Sequence, residues 1–322
     1  MLSEKKKAYL KALCNEDGFI NALAIDQRGS LKKMIEKDKG VPATDEEVIE
    51  FKKIASEELT KYASAILLDP EYGIPAGKAR SKDAGLLTSY EKTGYDGSGD
   101  QRFPDLLDHM SVKRIKEMGS DAVKFLLYYD VDEDKAINDQ KQAFVERIGS
   151  ECAAEDIPLF VELIAYDANQ PTNDLAFAKK KPRKVLEMMK EFAKDRYGID
   201  VLKMEVPVNM TFVEGFTDGD FAYTREEALA YFKEQGEVTD KPYIFLSAGV
   251  TTELFQKTLK FAGEAGATFR GVLCGRATWA AGLPPFVKEG EEACRHWMQT
   301  QGRKDIEALN AILKENAKPF DL

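Results

Sequence analysis

Short apolar runs alternate with longer amphipathic stretches along the whole chain. The runs read FINALAID from Phe19, ASAILLD from Ala63, GLLTSYE from Gly85 and AVKFLLYYD from Ala122. Then follow IPLFVELIAY from Ile157, DVLKMEVPV from Asp200, PYIFLSAGV from Pro242 and FRGVLCGRA from Phe269. Most are too short for helices and rich in β-branched or aromatic residues, which predicts strands; GLLTSYE carries the weakest signal. The stretches between them have helical spacing. Thr44 and Glu47 form a capping-box pattern. Behind it Val48, Phe51, Ala55, Leu59 and Tyr62 recur on one face. Thr224 and Glu227 repeat the pattern before Ala228 and Tyr231. Thr251 or Thr252 is placed to cap a helix through Leu254, Leu259 and Phe261, with Gly266 ending it.

Strands alternating with helices predict a parallel sheet closed as a (β/α)8 TIM barrel with extra helices, an α/β fold. No Pro- or Gly/Ser-rich linker and no short repeat divides the 322 residues, so one domain over 1–322 is expected. An open doubly wound sheet is the rival. It would place a glycine-rich turn after the first strand, but that turn reads Asp26-Gln27-Arg28-Gly29-Ser30. The Gly97-Ser98-Gly99 run also fails the G-x-G-x-x-G pattern, and no P-loop motif occurs.

Composition narrows the chemistry. With 46 Lys+Arg against 56 Asp+Glu the net charge is −10, which disfavours nucleic acid as a partner. It leaves an anionic small molecule open, since one pocket can be positive on an acidic protein. Two histidines, His109 and His296, cannot build a His₃ zinc site and fit no H-E-x-x-H pattern. Cys14, Cys152, Cys274 and Cys294 show no C-x-x-C spacing. Few cysteines, no signal-like N-terminus and no apolar run of the ~18 residues a span needs point to the cytoplasm and away from a membrane.

Active sites of such barrels form at the C-terminal ends of the strands. There the first run offers Asp26, Gln27 and Arg28; the fourth carries Lys124, the fifth Glu162, the sixth Lys203. The seventh ends in Ser247-Ala248-Gly249 and the eighth in Gly275-Arg276. A charge inside an apolar strand is costly unless paired or functional. Two lysines and a glutamate on three successive strands therefore point to amine catalysis, with a buried ion-pair network as the bland alternative. An ordinary lysine, with a pKa of ~10.4, is protonated at pH 7, and bringing one to ~7 takes ~4–5 kcal/mol. An apolar wall and a second cation can supply that shift. Lys203, between Leu202 and Met204, is the candidate nucleophile, Lys124 the second cation and Glu162 the proton carrier. Ser247, Ala248, Gly249, Gly275 and Arg276 suit a phosphate, with ordinary turn glycines and a surface arginine as the alternative.

Other features carry less. Arg28 is a candidate for a second anion or simply a solvated loop arginine. The acidic run Asp130–Asp134 lacks the Gly and Glu of a calcium loop at Lys135 and Lys141, so a solvated helix start is expected. The histidines are expected to be structural or exposed, Trp279 to pack, and the cysteines to be buried thiols.

The chain resembles the class I tagatose 1,6-bisphosphate aldolases of Gram-positive bacteria. The resemblance rests on ALAIDQRG, ASAILLDPEYG, YEKTGYD, DAVKFLLYYD, ERIGSEC, VLKMEVPVN, YIFLSAGV and GVLCGRATWA, in that order. Residues Ala168–Lys181 and those after Gly282 are less family-like. The resemblance implies a (β/α)8 fold and no metal or other cofactor. It implies a Schiff-base lysine at Lys203 and a catalytic glutamate at Glu162. Asp26, Gln27 and Lys124 match other active-site positions, and Ser247, Gly249, Gly275 and Arg276 match phosphate-binding ones. The implied reaction is reversible cleavage of a ketohexose bisphosphate, tagatose 1,6-bisphosphate, to dihydroxyacetone phosphate and glyceraldehyde 3-phosphate. A related branch cleaving 6-deoxy-6-sulfofructose 1-phosphate, a non-catalytic sugar-phosphate sensor and a metal-dependent aldolase stay open as alternatives. So do the favoured sugar, its C4 configuration and a homo-oligomeric state.

Overall fold

All of the expected strands form. A computed structural model describes residues 2–92 and 101–322 of the chain. The Gly97-Ser98-Gly99 run and part of the YEKTGYD motif lie outside the described residues. The strands are β1 (Ile20–Ala24), β2 (Ala65–Leu68), β3 (Gly85–Ser89), β4 (Ala122–Tyr129), β5 (Leu159–Ala165), β6 (Val201–Met204), β7 (Tyr243–Leu246) and β8 (Gly271–Cys274). They form a closed barrel in sequence order, every pair parallel. The seam is β1 on β8, with Ile20 beside Gly271 and Leu23 beside Cys274. Gly271 is required there: its φ is +133°, and a Cβ would lie 1.9 Å from the Ile20 carbonyl oxygen.

Helices cover the outside. Thr44 caps the helix Asp45–Leu59 and Thr224 caps the helix Arg225–Glu237, each in a complete capping box with Glu47 or Glu227. Thr251 caps Thr252–Glu264 through its hydroxyl and the Leu254 N–H. Tyr62 departs from the expected helical face. The helix tightens to a 3-10 turn over Thr60–Tyr62, which moves its ring off the strictly buried stripe. After β8 the chain adds further helices, ending in Arg303–Asn316. Among the described residues no helix is long and apolar enough to cross a membrane.

Alternation along the strands sorts the side chains. Val123, Phe125, Val161, Leu163, Leu202 and Met204 face the helices in a large apolar cluster. Ile20, Ala22, Leu67, Ala122, Phe160, Val201, Ile244 and Leu273 fill the lower barrel. Leu10 and Leu13 of the first helix, together with Phe320 and Leu322 of the final segment, pack against that filling from below. The inward positions one step higher on β4, β5 and β6 are Lys124, Glu162 and Lys203. The barrel is thus apolar at its N-terminal end and charged at its C-terminal end.

The acidic run before the helix Lys135–Glu155 differs from the expected solvated helix start. Asp134 does cap the helix, accepting the Ala136 N–H at 2.7 Å. Asp130, however, is buried against Lys184, and Glu133 holds Lys141 at 3.0 Å. The reason lies in the partners. Both lysine side chains are wholly buried, and a buried ammonium needs a carboxylate beside it.

Candidate active site

Neighbouring strands place the charged residues in register. Glu162 of β5 lies beside Lys203 of β6, and Leu126 of β4 beside Glu162. Lys203 Nζ stands 2.9 Å from Glu162 Oε2. Lys124 Nζ reaches that oxygen at 2.7 Å, Asp26 Oδ2 at 2.9 Å and Glu91 Oε1 at 2.6 Å. An ammonium has three N–H donors, so each of those on Lys124 meets a carboxylate. One step back along the inward faces lie Ala122, Phe160 and Val201, the apolar floor of the cluster.

The cluster tunes its own carboxylates. Burial alone would raise Asp26, but Lys124 and then Lys203 outweigh it and hold the carboxyl well below its usual range. Burial also opposes ionisation of Glu162, which Lys124 and Lys203 nevertheless pull below its ordinary value despite Asp26. On Lys124 burial works against the charge, yet Asp26, Glu162 and Glu91 hold its pKa well above the ordinary value. This changes the expected picture of Lys124 as a bare second cation beside the nucleophile. Three carboxylates compensate its charge, and the immediate neighbour of Lys203 is a base. Leu202 and Met204 do not wall Lys203 either, because they face the helices.

These groups line a cleft of about 720 Å³, and so does every strand-end residue named from sequence: Asp26, Gln27, Arg28, Lys124, Glu162, Lys203, Ser247, Ala248, Gly249, Gly275 and Arg276. After β7, Ala248 (φ +50°) and Gly249 (φ +74°) turn the chain so that it passes under Arg276. A Cβ on Gly249 would lie 2.3 Å from the Arg276 guanidinium. Gly275 donates its N–H to Ser247 Oγ at 3.4 Å, tying the two strand ends together. Arg276 is exposed to the cleft and has no carboxylate within ion-pair distance among the described residues. It is a guanidinium left available for an anion.

At the β1 end, Arg28 is 4% exposed, which overturns the reading of a solvated loop arginine. It donates to Glu71 at 2.5 Å and to the Glu91 carbonyl at 2.6 Å. Among the described residues, its Nε and the Gln27 Oε1 are buried and have no hydrogen-bond partner.

Sequence reasoning missed Glu91, Glu205, Ser30 and Lys33, all of which line the cleft. Glu91 had a readable signal as a charge closing the third apolar run. Glu205 follows Lys203 by two positions and so shares its face. It accepts the Ala165 N–H at 2.7 Å and faces Lys181 at 3.3 Å. Ser30 and Lys33 carry no such signal; they belong to the first turns of the helix Gly29–Lys39.

The remaining candidates stand aside. His109 and His296 are exposed. Among the described residues no three His, Cys, Asp or Glu side chains are grouped to hold a metal. Trp279 packs, donating its indole N–H to the Ala24 carbonyl at 2.9 Å. Burial pushes the Cys14, Cys274 and Cys294 thiols up to about 12, and raises Cys152 as well. None is an activated nucleophile.

Comparison with known proteins gives the same direction. The model of the DeoC/LacD family aldolases matches residues 20–281. Tagatose 1,6-diphosphate aldolase 2 of Enterococcus faecalis is 60% identical over 320 residues, covering 99% of this chain and 96% of that protein. Tagatose 1,6-diphosphate aldolase of Lactococcus lactis is 54% identical over 321 residues, covering 99% and 98%. Among solved structures, fructose-bisphosphate aldolase of Plasmodium falciparum superposes with a TM-score of 0.68 at 15% identity, covering 98% of this chain and 95% of that one. A Schiff base forming fructose-1,6-bisphosphate aldolase gives 0.58 at 17% identity, covering 96% and 99%. These distant structures share the barrel; the family rests on the closer relatives. The chain belongs to the DeoC/LacD family aldolases.

Proposed function

We propose that this aldolase works through a Schiff base on Lys203 and cleaves tagatose 1,6-bisphosphate to dihydroxyacetone phosphate and glyceraldehyde 3-phosphate. One observation carries the mechanism: the amine of Lys203 lies 2.9 Å from a carboxylate oxygen of Glu162, over an apolar floor. The names of the relatives in Enterococcus faecalis and Lactococcus lactis support the sugar.

The steps follow from the positions. Neutral Lys203 attacks C2 of the open-chain ketose, and Glu162 carries protons as the carbinolamine loses water. The iminium is an electron sink, so no metal or cofactor is needed. Glu162 takes the proton of the C4 hydroxyl, the C3–C4 bond breaks, and glyceraldehyde 3-phosphate leaves. The enamine is protonated at C3 and hydrolysed, freeing dihydroxyacetone phosphate and Lys203. Asp26 and Lys124 orient substrate oxygens around the reacting carbons. The phosphate on C1 sits under Arg276 with Ser247, Ala248, Gly249 and Gly275. The phosphate on C6 is placed toward Ser30, Lys33 and Arg28, beside Gln27.

Borohydride with dihydroxyacetone phosphate tests this reading. The expected result is one covalent label, on Lys203, in enzyme whose activity survives EDTA. A label elsewhere, or activity lost to EDTA and restored by zinc, overturns it. Cleavage rates on tagatose, fructose and sulfofructose phosphates then decide the sugar. No turnover on any of them would return the chain to the sensor reading.

A further inference from the structure

We infer that Glu91 is a positioning residue for the reaction, holding the Lys124 ammonium between Asp26 and Glu162 and anchoring the β1 turn to the end of β3. The inference rests on the Schiff-base reading of Lys203. Glu91 is 5% exposed and stands just past β3, yet it touches three separate parts of the site. Its Oε1 takes Lys124 Nζ at 2.6 Å. Its Oε2 accepts the backbone N–H of Leu126, on β4, at 3.2 Å. Its carbonyl accepts Arg28 at 2.6 Å, and Arg28 follows Asp26 and Gln27 in the same turn.

The two carboxylate oxygens have separate duties, and this explains the residue type. Both face donors, so the side chain at 91 must offer two acceptors. An ionised carboxylate does so; an amide of the same shape offers one acceptor and one donor. Glutamine can satisfy either Lys124 or Leu126, and must turn an N–H toward the other. Aspartate is one methylene shorter and cannot span both. Released from Glu91, Lys124 keeps two of its three carboxylates and is free to tilt toward them. Glu162 Oε2 is one of these and is the oxygen that Lys203 also contacts. A displacement of 1 Å in a catalytic array is enough to lose ~10²-fold in rate. The C1 phosphate is placed under Arg276 at the β7 and β8 ends. Arg28, on the C6 side, is tied to the backbone carbonyl of Glu91, which a side-chain substitution keeps, so the loss falls on turnover more than on binding.

The test compares wild type, Glu91→Gln and Glu91→Ala by steady-state kinetics, borohydride trapping with dihydroxyacetone phosphate, and thermal melting. Wild type is expected to be labelled at Lys203. Glu91→Gln should lose about tenfold or more in kcat, and Glu91→Ala ~10²-fold, each with KM within about threefold of wild type. Acetate should restore part of the Glu91→Ala turnover by returning a carboxylate to the emptied position, an effect a merely structural role would not give. If Glu91→Ala does not fold, the isosteric glutamine variant carries the comparison. No label at Lys203 in active wild type overturns the Schiff-base reading itself. Labelled wild type with Glu91→Gln kcat within twofold overturns this inference alone. So does a rise in KM at unchanged kcat, which would make Glu91 a binding group.

Discussion

Lys124 and Lys203 converge on one oxygen of Glu162, at 2.7 and 2.9 Å. Two amines from β4 and β6, the strands on either side of β5, thus share a single acceptor, while Asp26 and Glu91 also hold the first of them. The geometry distinguishes the lysines. Lys124 has each N–H engaged by a carboxylate, whereas among the described residues Lys203 has one ionic partner, a carboxylate. A proton leaving Lys203 has an acceptor within hydrogen-bond distance.

Glu162→Gln should therefore lower kcat by ~10²–10⁴-fold, the range for a general acid–base. The amide can hold the hydrogen bonds to one lysine but cannot take the C4 hydroxyl proton. Steady-state cleavage assays check this; a loss under about fivefold would assign the proton to another group.

Arg276→Ala should mainly raise KM. A charge-assisted hydrogen bond is worth about 1.5–3 kcal/mol, or roughly 10- to 150-fold in affinity. Gly249→Ala should imitate it, because the new Cβ occupies the place of the guanidinium and the backbone φ of +74° is strained for alanine. Unchanged KM in both variants would place the phosphate elsewhere in the cleft.

Stability should fall in acid. Asp26 and Glu162 are held below their ordinary values by Lys124 and Lys203, burial notwithstanding. A carboxylate with a depressed folded-state value contributes stability that is complete above its unfolded value near ~4 and is lost as pH falls through the folded one. Melting temperature should decline from about pH 4 downward. In Asp26→Asn the decline should be shallower; an identical slope would show that Asp26 is not among the groups responsible.

The second set of buried charges should matter to stability and little to chemistry. Lys184 is wholly buried beside Asp130, joining the helix Leu175–Phe192 to the end of β4. Lys184→Ala leaves a buried carboxylate uncompensated and should cost about 3–5 kcal/mol. Denaturant unfolding measures this; a cost below 1 kcal/mol would mean water reaches Asp130.

The strand and helix pattern was legible because it is local. Alternation in AVKFLLYYD and IPLFVELIAY assigns each side chain to the barrel interior or the helices without reference to any distant residue. The same period puts Lys124, Glu162 and Lys203 on inward faces. Two capping boxes and the Thr251 cap follow from spacings of three residues. Where local reasoning failed, the partner was remote. Asp130 looked solvated until the helix carrying Lys184 was laid against it, 54 positions away.

The sequence by itself determined the barrel and the strand-end residues from Asp26 to Arg276 that reach the cleft, though not Glu91, Glu205, Ser30 or Lys33. Tertiary structure alone decided which of them meet. Glu91 is 33 positions from Lys124, and Arg28 is 43 from Glu71; neither pairing has a periodicity that could announce it. Arg28 turned from a loop arginine into a buried tie, and Lys124 from a lone cation into one enclosed by carboxylates. Which faces a strand presents is a property of the chain near it. Which charges share an oxygen depends on the stagger with which the strands close, and that is set only when the barrel forms.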